Sequence, residues 1–288
     1  MLIPTLKRLK KNGVIFPPEF LIDNLQYATI MGSYAYGVSE DLSDVDIYGW
    51  CFPPKEVIFP HTVGIIKGFG NQGTNFDQWQ EHRRENYDFS IYSIIKFFQL
   101  CMENNPNMID SLYTSQNCVQ HCTTVGNLVR ENRKLFLHKG CYHKFKGYAY
   151  SQLHKIKTKK PEGKRAAIVE KFGYDVKFAY HVVRLADECK QILETGTLDL
   201  TKNREQMKAV RRGEWTIGQL EKWFTEQEII LEQLYATSTL PYGPKEKTIK
   251  ALLMQCLEHH YGSISKVIPT ENVEAVLNEL RSIISKYS

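Results

Sequence analysis

The sequence predicts an α+β protein: a small mixed sheet in the first part of the chain and a mainly α-helical part after it. Two observations carry this. Up to about residue 112, short apolar runs alternate with turn signals; beyond it, apolar residues recur every three or four positions. The chain of 288 residues is 42% hydrophobic and 24% charged, which suits one large folded domain or two ordinary ones and excludes disorder throughout. The division is drawn at residues 1–112 and 113–288.

The elements follow in order. Tyr27-Ala28-Thr29-Ile30-Met31 is β-prone and stops at Gly32, so it reads as a strand. Ser33 to Ser39 fits a short helix with Ser33 as its N-cap. Val45 to Trp50 reads as a second strand, broken by Pro53-Pro54. Val57-Ile58-Phe59 and Ile65-Ile66 read as further extended pieces, and the Gly- and Asn-rich stretch Gly68 to Gln80 as a mobile loop. Tyr87 to Ile91 alternates polar and apolar, a half-buried strand pattern, and runs into a helix over Tyr92 to Met102. Asn104-Asn105-Pro106-Asn107 stops that helix and starts another.

In the second half, Leu220, Phe224, Gln227 and Leu231 fall on one helical face, and so do Ile249, Leu252, Leu253 and Cys256. Val273, Val276, Leu277, Leu280 and Ile284 mark a last helix. Breaks come at Pro161, Gly196, Gly213, Leu240-Pro241 and Gly243-Pro244. Lys155, Lys157, Lys159, Lys160, Lys164 and Arg165 read as a basic, flexible connector.

A formal charge of +5 allows an anionic partner without demanding one. Met1 to Lys11 lacks the apolar core of a signal peptide, and no window approaches the ~18 apolar residues of a membrane helix. No membrane association is therefore expected. Seven cysteines, an odd number in a chain too long to need staples, suit a reducing cytoplasmic compartment. Cys118, His121, Cys122, Cys141 and His143 have tolerable but undiagnostic spacing for zinc, and no structural zinc is expected.

Function is concentrated in Met31-Gly32-Ser33-Tyr34-Ala35-Tyr36-Gly37 and Ser43-Asp44-Val45-Asp46-Ile47-Tyr48-Gly49. On a strand, residues i and i+2 point to the same face, so Asp44 and Asp46 project together. Two such carboxylates repel unless a cation lies between them, and Mg²⁺ is the hard ion that carboxylates and phosphate oxygens share. Gly32 lets the backbone approach a phosphate, Ser33 adds a hydroxyl, and N–H groups at a helix start favour an anion. Ser-Asp-x-Asp alone is common turn chemistry. Joined to a glycine-serine turn in strand–turn–helix–strand order, it reads as a site for a triphosphate and two divalent ions, Mg²⁺ or Mn²⁺.

Gly32-Ser33-x-x-x-Gly37 followed by Ser43-Asp44-x-Asp46-x-x-Gly49 resembles the polymerase-β-like nucleotidyltransferase superfamily. Softer matches are similar to one branch, the predicted nucleotidyltransferases linked to RNA repair. They are Lys96-Phe97, Asn105-Pro106-Asn107, Gly147-Tyr148-Ala149 with Gln152, Gly173-Tyr174-Asp175-x-Lys177 through His181 and Arg184-Leu185, and Leu240-Pro241. The resemblance implies a nucleotidyltransferase palm in residues 1–112, a helical substrate-binding domain in 113–288, and a third metal carboxylate on a neighbouring strand. Asp88 is chosen for it, with Asp77 and Glu85 as competitors.

Lys177, His181 and Arg184 stand at i, i+4 and i+7 of a helix over Asp175 to Leu185. Spacing alone makes this an ordinary solvated face; the resemblance makes it a contact to the triphosphate or an acceptor phosphate. Lys144, Tyr148, Gln152 and Lys155 share another register that can stack a base and hold its phosphate, or can simply pack into the core.

The expected activity is transfer of an NMP from an NTP such as ATP to an acceptor hydroxyl with release of pyrophosphate (EC 2.7.7 type). An RNA 3′ end, in repair or end modification, is the favoured acceptor. The alternatives are a nucleotidyltransferase acting on a protein or small molecule, and a non-catalytic nucleotide-binding or interaction module.

Overall fold

The computed structural model describes residues 2–39, 44–59, 76–263 and Arg281. Ser43, the Ile65-Ile66 piece, residues 68–75 of the expected loop, and the last helix with Val273, Val276, Leu277, Leu280 and Ile284 lie outside the described residues.

The chain runs α1 (Leu2–Lys11), β1 (Leu25–Ile30), α2 (Gly32–Ala35), β2 (Val45–Cys51), α3 (Lys55–Ile58), β3 (Gln78–Arg84), β4 (Tyr87–Ser93), α4 (Ile94–Met102) and α5 (Pro106–Tyr113). It continues with β5 (Val119–Cys122), α6 (Thr124–Glu131), α7 (Cys141–Thr158), α8 (Lys164–Phe172), α9 (Val176–Thr195), α10 (Arg204–Arg211), α11 (Ile217–Thr237) and α12 (Glu246–Tyr261). The architecture is α+β; among the described residues the strands form one five-stranded mixed sheet ordered β3-β4-β2-β1-β5. Only β2 and β4 run parallel; the other neighbours are antiparallel. The parallel pair is in register, so Asp46 stands opposite Asp88 and Tyr48 opposite Ser90.

Residues 1–52 and 77–253 form one compact unit, and residues 53–76 with 254–288 a second. In the second, the Phe59 and Tyr261 rings meet edge to face at 5.8 Å, and the Tyr261 hydroxyl donates to the Pro53 carbonyl. In the first, the fully buried Trp50 packs against Phe52 and Phe97. Buried Tyr27 donates its hydroxyl to the Ser111 carbonyl at 2.6 Å, tying β1 to α5. Among the helices, α9 packs against α7, α10 and α11. It carries Ala179, Val182, Val183 and Cys189 with no exposed surface and also buries Arg184, Asp187 and Glu188. It is a central core helix, whereas spacing alone reads its Lys177, His181 and Arg184 stripe as an ordinary solvated face. Among the described residues no helix is long and apolar enough to cross a membrane.

Several local expectations are corrected. The loop expected up to Gln80 gives way to β3 at Gln78. An edge strand needs one buried anchor, Trp79, and its polar neighbours hide it from an apolar-run reading. Val57-Ile58 lies in the helical turn α3, which Pro54 introduces as N-cap instead of merely breaking a strand. The single turn α2 starts at Gly32 with Met31 as its N-cap, so Ser33 does not cap it. β5 comes from beyond residue 112, in the part expected to be mainly helical. The basic connector shrinks to residues 159–163, because Lys155 and Lys157 end α7 while Lys164 and Arg165 begin α8.

Candidate active site

A cleft of ≈ 710 Å³ opens where the glycine-serine turn meets β2 and β4. Gly32, Ser33, Asp44, Asp46 and Asp88 all line it. The Met31 N–H donates to the Asp46 carbonyl at 2.7 Å, so the turn continues the β1–β2 ladder and hangs over the carboxylate. Gly32 has φ +63°, and a Cβ placed there would come within 1.9 Å of Asp46 Oδ2. The first demand on this glycine is therefore room for a carboxylate, a closer constraint than the phosphate approach anticipated from sequence.

Asp44 precedes β2 and is exposed; Asp46 and Asp88 are half-buried partners on parallel strands. Burial, then the neighbouring Asp88 and Asp44 carboxylates, push Asp46 up to about 6, while His82 and Lys177 pull it down. His82 Nδ1 lies 3.8 Å from Asp88 Oδ1. Glu85 sits in the β3–β4 turn and pairs with Arg8 at 2.8 Å, and Asp77 precedes β3, its carbonyl accepting from the Ser93 N–H. Tyr48, two residues beyond Asp46, forms a cleft wall, and burial raises its phenol to about 12, so it stays a neutral hydrogen-bonding group.

The far wall is cationic. Lys177 at the first turn of α9 is exposed, and His181 one turn later is half-buried. Burial, and then Arg184 and the other cations around it, hold His181 well below its usual range, so its imidazole is neutral. Arg165 from α8 and Arg211 from α10 complete the wall. Arg165 is paired with the α9 N-cap Asp175 at 2.6 Å, and Arg211 donates to the Val38 carbonyl at 2.5 Å.

Arg184 is placed differently from Lys177. The stripe it shares with Lys177 and His181 descends along α9 into the interior, where Arg184 meets Asp110 of α5 at 2.5 Å and Glu188 at 3.7 Å. It also donates to the Tyr36 hydroxyl, which donates in turn to Asp110 Oδ2 at 2.8 Å. Arg184 touches the cleft floor, but its charge is engaged in locking the glycine-serine turn to α5 and α9. The cluster holds two buried acids against one guanidinium. Burial raises Asp110 to about 6 and Glu188 well above the ordinary range, and both Glu188 oxygens lack hydrogen-bond partners.

Lys144, Tyr148, Gln152 and Lys155 lie along α7 and do not line this cleft. Lys144 pairs with Glu103 at 3.2 Å. The Tyr148 hydroxyl accepts from Asn105 Nδ2 at 3.1 Å, while Asn105 Oδ1 caps α5. Lys155 Nζ lies 6.0 Å from the Phe178 ring centroid. Sequence reasoning missed Arg211, Tyr48 and Tyr180 as cleft residues; Arg211 carries no local signal, whereas Tyr180 stands beside His181 within the stretch already singled out.

The donor set suits a hard divalent cation, with one qualification. A half-buried carboxylate raised by burial and then by two neighbouring acids is a negative centre that such an ion relieves. Among the described residues no group of three His, Cys, Asp or Glu side chains stands ready-made for a metal.

Residues 5–255 match the family described as RlaP, the RNA repair pathway DNA polymerase beta family. Over 107 residues the chain is 30% identical to an uncharacterized 38.9 kDa protein in the nrdC-mobD intergenic region of Enterobacteria phage T4, a stretch covering 36% of this chain and 31% of the phage protein. The chain thus spans about a third of the length of that curated relative. Over its full length it aligns with 91% of a nucleotidyltransferase-like protein of known crystal structure from Exiguobacterium sibiricum 255-15, at 11% identity and a TM-score of 0.28, a likeness too weak to carry an argument.

Proposed function

The chain belongs to the RNA repair pathway DNA polymerase beta family, and as a nucleotidyltransferase of that kind we propose that it moves an NMP from an NTP to the 3′ hydroxyl of an RNA, releasing pyrophosphate. The observation that carries the chemistry is the convergence of Asp44, Asp46 and Asp88 on the cleft that Gly32 and Ser33 line. The family description supports the RNA acceptor.

In this reading Asp44, Asp46 and Asp88 would hold two Mg²⁺ or Mn²⁺ ions. When bound, the ions supply Lewis acidity toward the acceptor hydroxyl and the triphosphate. The chain's own residues position the reactants. Asp46, pressed against Gly32 and raised by both other acids, would be the central metal-holding carboxylate, with Asp44 and Asp88 beside it in the cleft. Lys177, Arg211 and Arg165 line the opposite wall and receive the phosphate oxygens, with arginine offering a fork of donors and lysine a point charge. Neutral His181 offers one ring N–H without adding charge. Arg184 supports the turn through Tyr36 and Asp110. The acceptor oxygen forms a bond to the α-phosphorus, the bond to the bridging oxygen breaks, and pyrophosphate leaves. The chain contributes mainly positioning and charge complementarity.

The test is incubation with each α-labelled NTP, Mg²⁺ or Mn²⁺ and, in separate reactions, total RNA, bulk protein and small hydroxyl compounds. Label should enter RNA with wild type, and neither Asp44→Ala/Asp46→Ala nor Asp88→Ala should transfer it. Label in protein or a small molecule instead would refute the RNA acceptor. Tight NTP binding with no pyrophosphate release under any condition would refute the transferase chemistry in this chain.

A further inference from the structure

A second cavity of ≈ 360 Å³ lies beside the cleft, between α8, the start of α9 and the end of α10. Its floor is apolar, with Ile168, Phe172 and Val176, and its rim carries Lys171, Lys177, Arg211 and Arg212. Ile168, Lys177 and Arg211 also line the cleft, so the two spaces share a wall. None of the seven residues lining the second cavity is acidic, whereas the cleft holds three aspartates.

We propose that this cavity takes the backbone and one base of a single-stranded polynucleotide, the acceptor strand upstream of its reacting end. The inference rests on the nucleotidyl-transfer reading of the adjoining cleft. A metal-borne triphosphate needs carboxylates nearby, and this cavity offers none. A phosphodiester carries no metal and needs only cations, and a base needs an apolar or aromatic face. Phe172 supplies that face, and it is built in. Gly213, at φ +75°, closes α10 against it so tightly that a Cβ there would lie 2.1 Å from the ring. Lys171 Nζ stands 4.8 Å from the ring centroid, and Arg212 forms an exposed pair with Glu214 at 2.5 Å. Such a pair is readily given up for a phosphate.

The distribution of charge points the same way. Residues 155–177 hold eight Lys and Arg against three Asp and Glu, and residues 202–212 hold five against one. The whole chain nets only +5, so everything else sums to a negative charge. A cationic surface this extended exceeds what one triphosphate needs and fits a polyanion. It also shifts the nucleic-acid path from Lys144, Tyr148 and Gln152 of α7 toward α8 and α10.

The experiment measures two affinities on the same protein. A fluorescein-labelled single-stranded RNA is titrated by anisotropy at several salt concentrations, and a non-hydrolysable ATP analogue with Mg²⁺ by calorimetry. Lys171→Glu/Arg212→Glu changes only exposed side chains and should fold as wild type, which circular dichroism checks. RNA affinity should fall about 10-fold or more, and the slope of log K against log salt should become shallower by about 1.4, for two lost phosphate contacts on a single strand. Affinity for the ATP analogue should not change. Phe172→Leu should weaken RNA binding while leaving the salt slope unchanged. Unchanged RNA binding in the charge-reversed protein would overturn the proposal, and so would an equal loss of ATP-analogue affinity, which would assign the cavity to the triphosphate. The readout is independent of turnover. If the cavity variants lose RNA binding but wild type incorporates no nucleotide, the cavity stands and the transfer reading falls.

Discussion

Gly32→Ala puts the smallest possible side chain at the closest contact in the cleft. Its Cβ would sit 1.9 Å from Asp46 Oδ2, where ordinary contact begins at 3.4 Å. The carboxylate or the turn must therefore yield by about 1.5 Å. The turn cannot yield easily, because the Met31 N–H is bonded to the Asp46 carbonyl and Tyr36 is tied to Asp110 and Arg184. Alanine at φ +63° also costs about 1–2 kcal/mol. For a domain this large that corresponds to a melting temperature lower by roughly 2–8 °C. A displacement of about 1 Å at a reacting centre can cost 100-fold, so kcat should fall by at least about 100-fold while most of the protein stays folded at 25 °C. Pyrophosphate release and a thermal melt on the same preparation measure both. Gly218→Ala is the control. It lies in α11 with nothing within 4 Å, and it should gain about 0.5–1 kcal/mol without touching activity. Wild-type turnover by Gly32→Ala would refute the claim that this glycine exists to accommodate Asp46.

Asp46 should make the metal-free protein pH-sensitive. Its carboxyl is raised from 3.8 to about 6 in the folded state, so the fold binds that proton more tightly than the unfolded chain, and stability is lost as pH rises from about 4 to about 6. After allowance for partial exposure the loss is roughly 2 kcal/mol. Asp46→Asn should therefore melt higher than wild type at pH 8 and alongside it at pH 4. Mg²⁺ should raise the wild-type melting temperature at pH 8 and not that of Asp46→Asn; a lower melting temperature for Asp46→Asn at pH 8 would contradict the charge account. Arg184→Met strips the guanidinium from Asp110 and Glu188 and should cost about 3–5 kcal/mol in urea denaturation. Lys177→Ala should stay within about 0.5 kcal/mol of wild type but weaken NTP binding. Equal stability for the two variants would remove the distinction between the anchored and the accessible cation.

Asp44, one residue before β2, and Asp46 within it stand two positions apart and both line the cleft, and Gly32-Ser33 stands out because a turn must follow β1. These are local relations, and the sequence by itself determined them, together with the α+β class and the helix start at Asn105-Pro106. Asp88 is preferred over Asp77 and Glu85 in the sequence because it lies in an alternating strand pattern just before a helix, as the family resemblance expects. What sets it beside Asp46 is the parallel register of β2 and β4, and a strand's partner is not written in its own residues. Arg184 shows the opposite failure. Helical spacing placed it correctly beside His181 but could not show that the stripe dives inward to Asp110, 74 positions away. Arg211 reaches the cleft through Val38, 173 positions earlier, and Phe172 becomes a cavity floor because Gly213 closes on it. Burial and long-range pairing decide whether a charged side chain holds a ligand or holds the fold, and only the tertiary structure contains them.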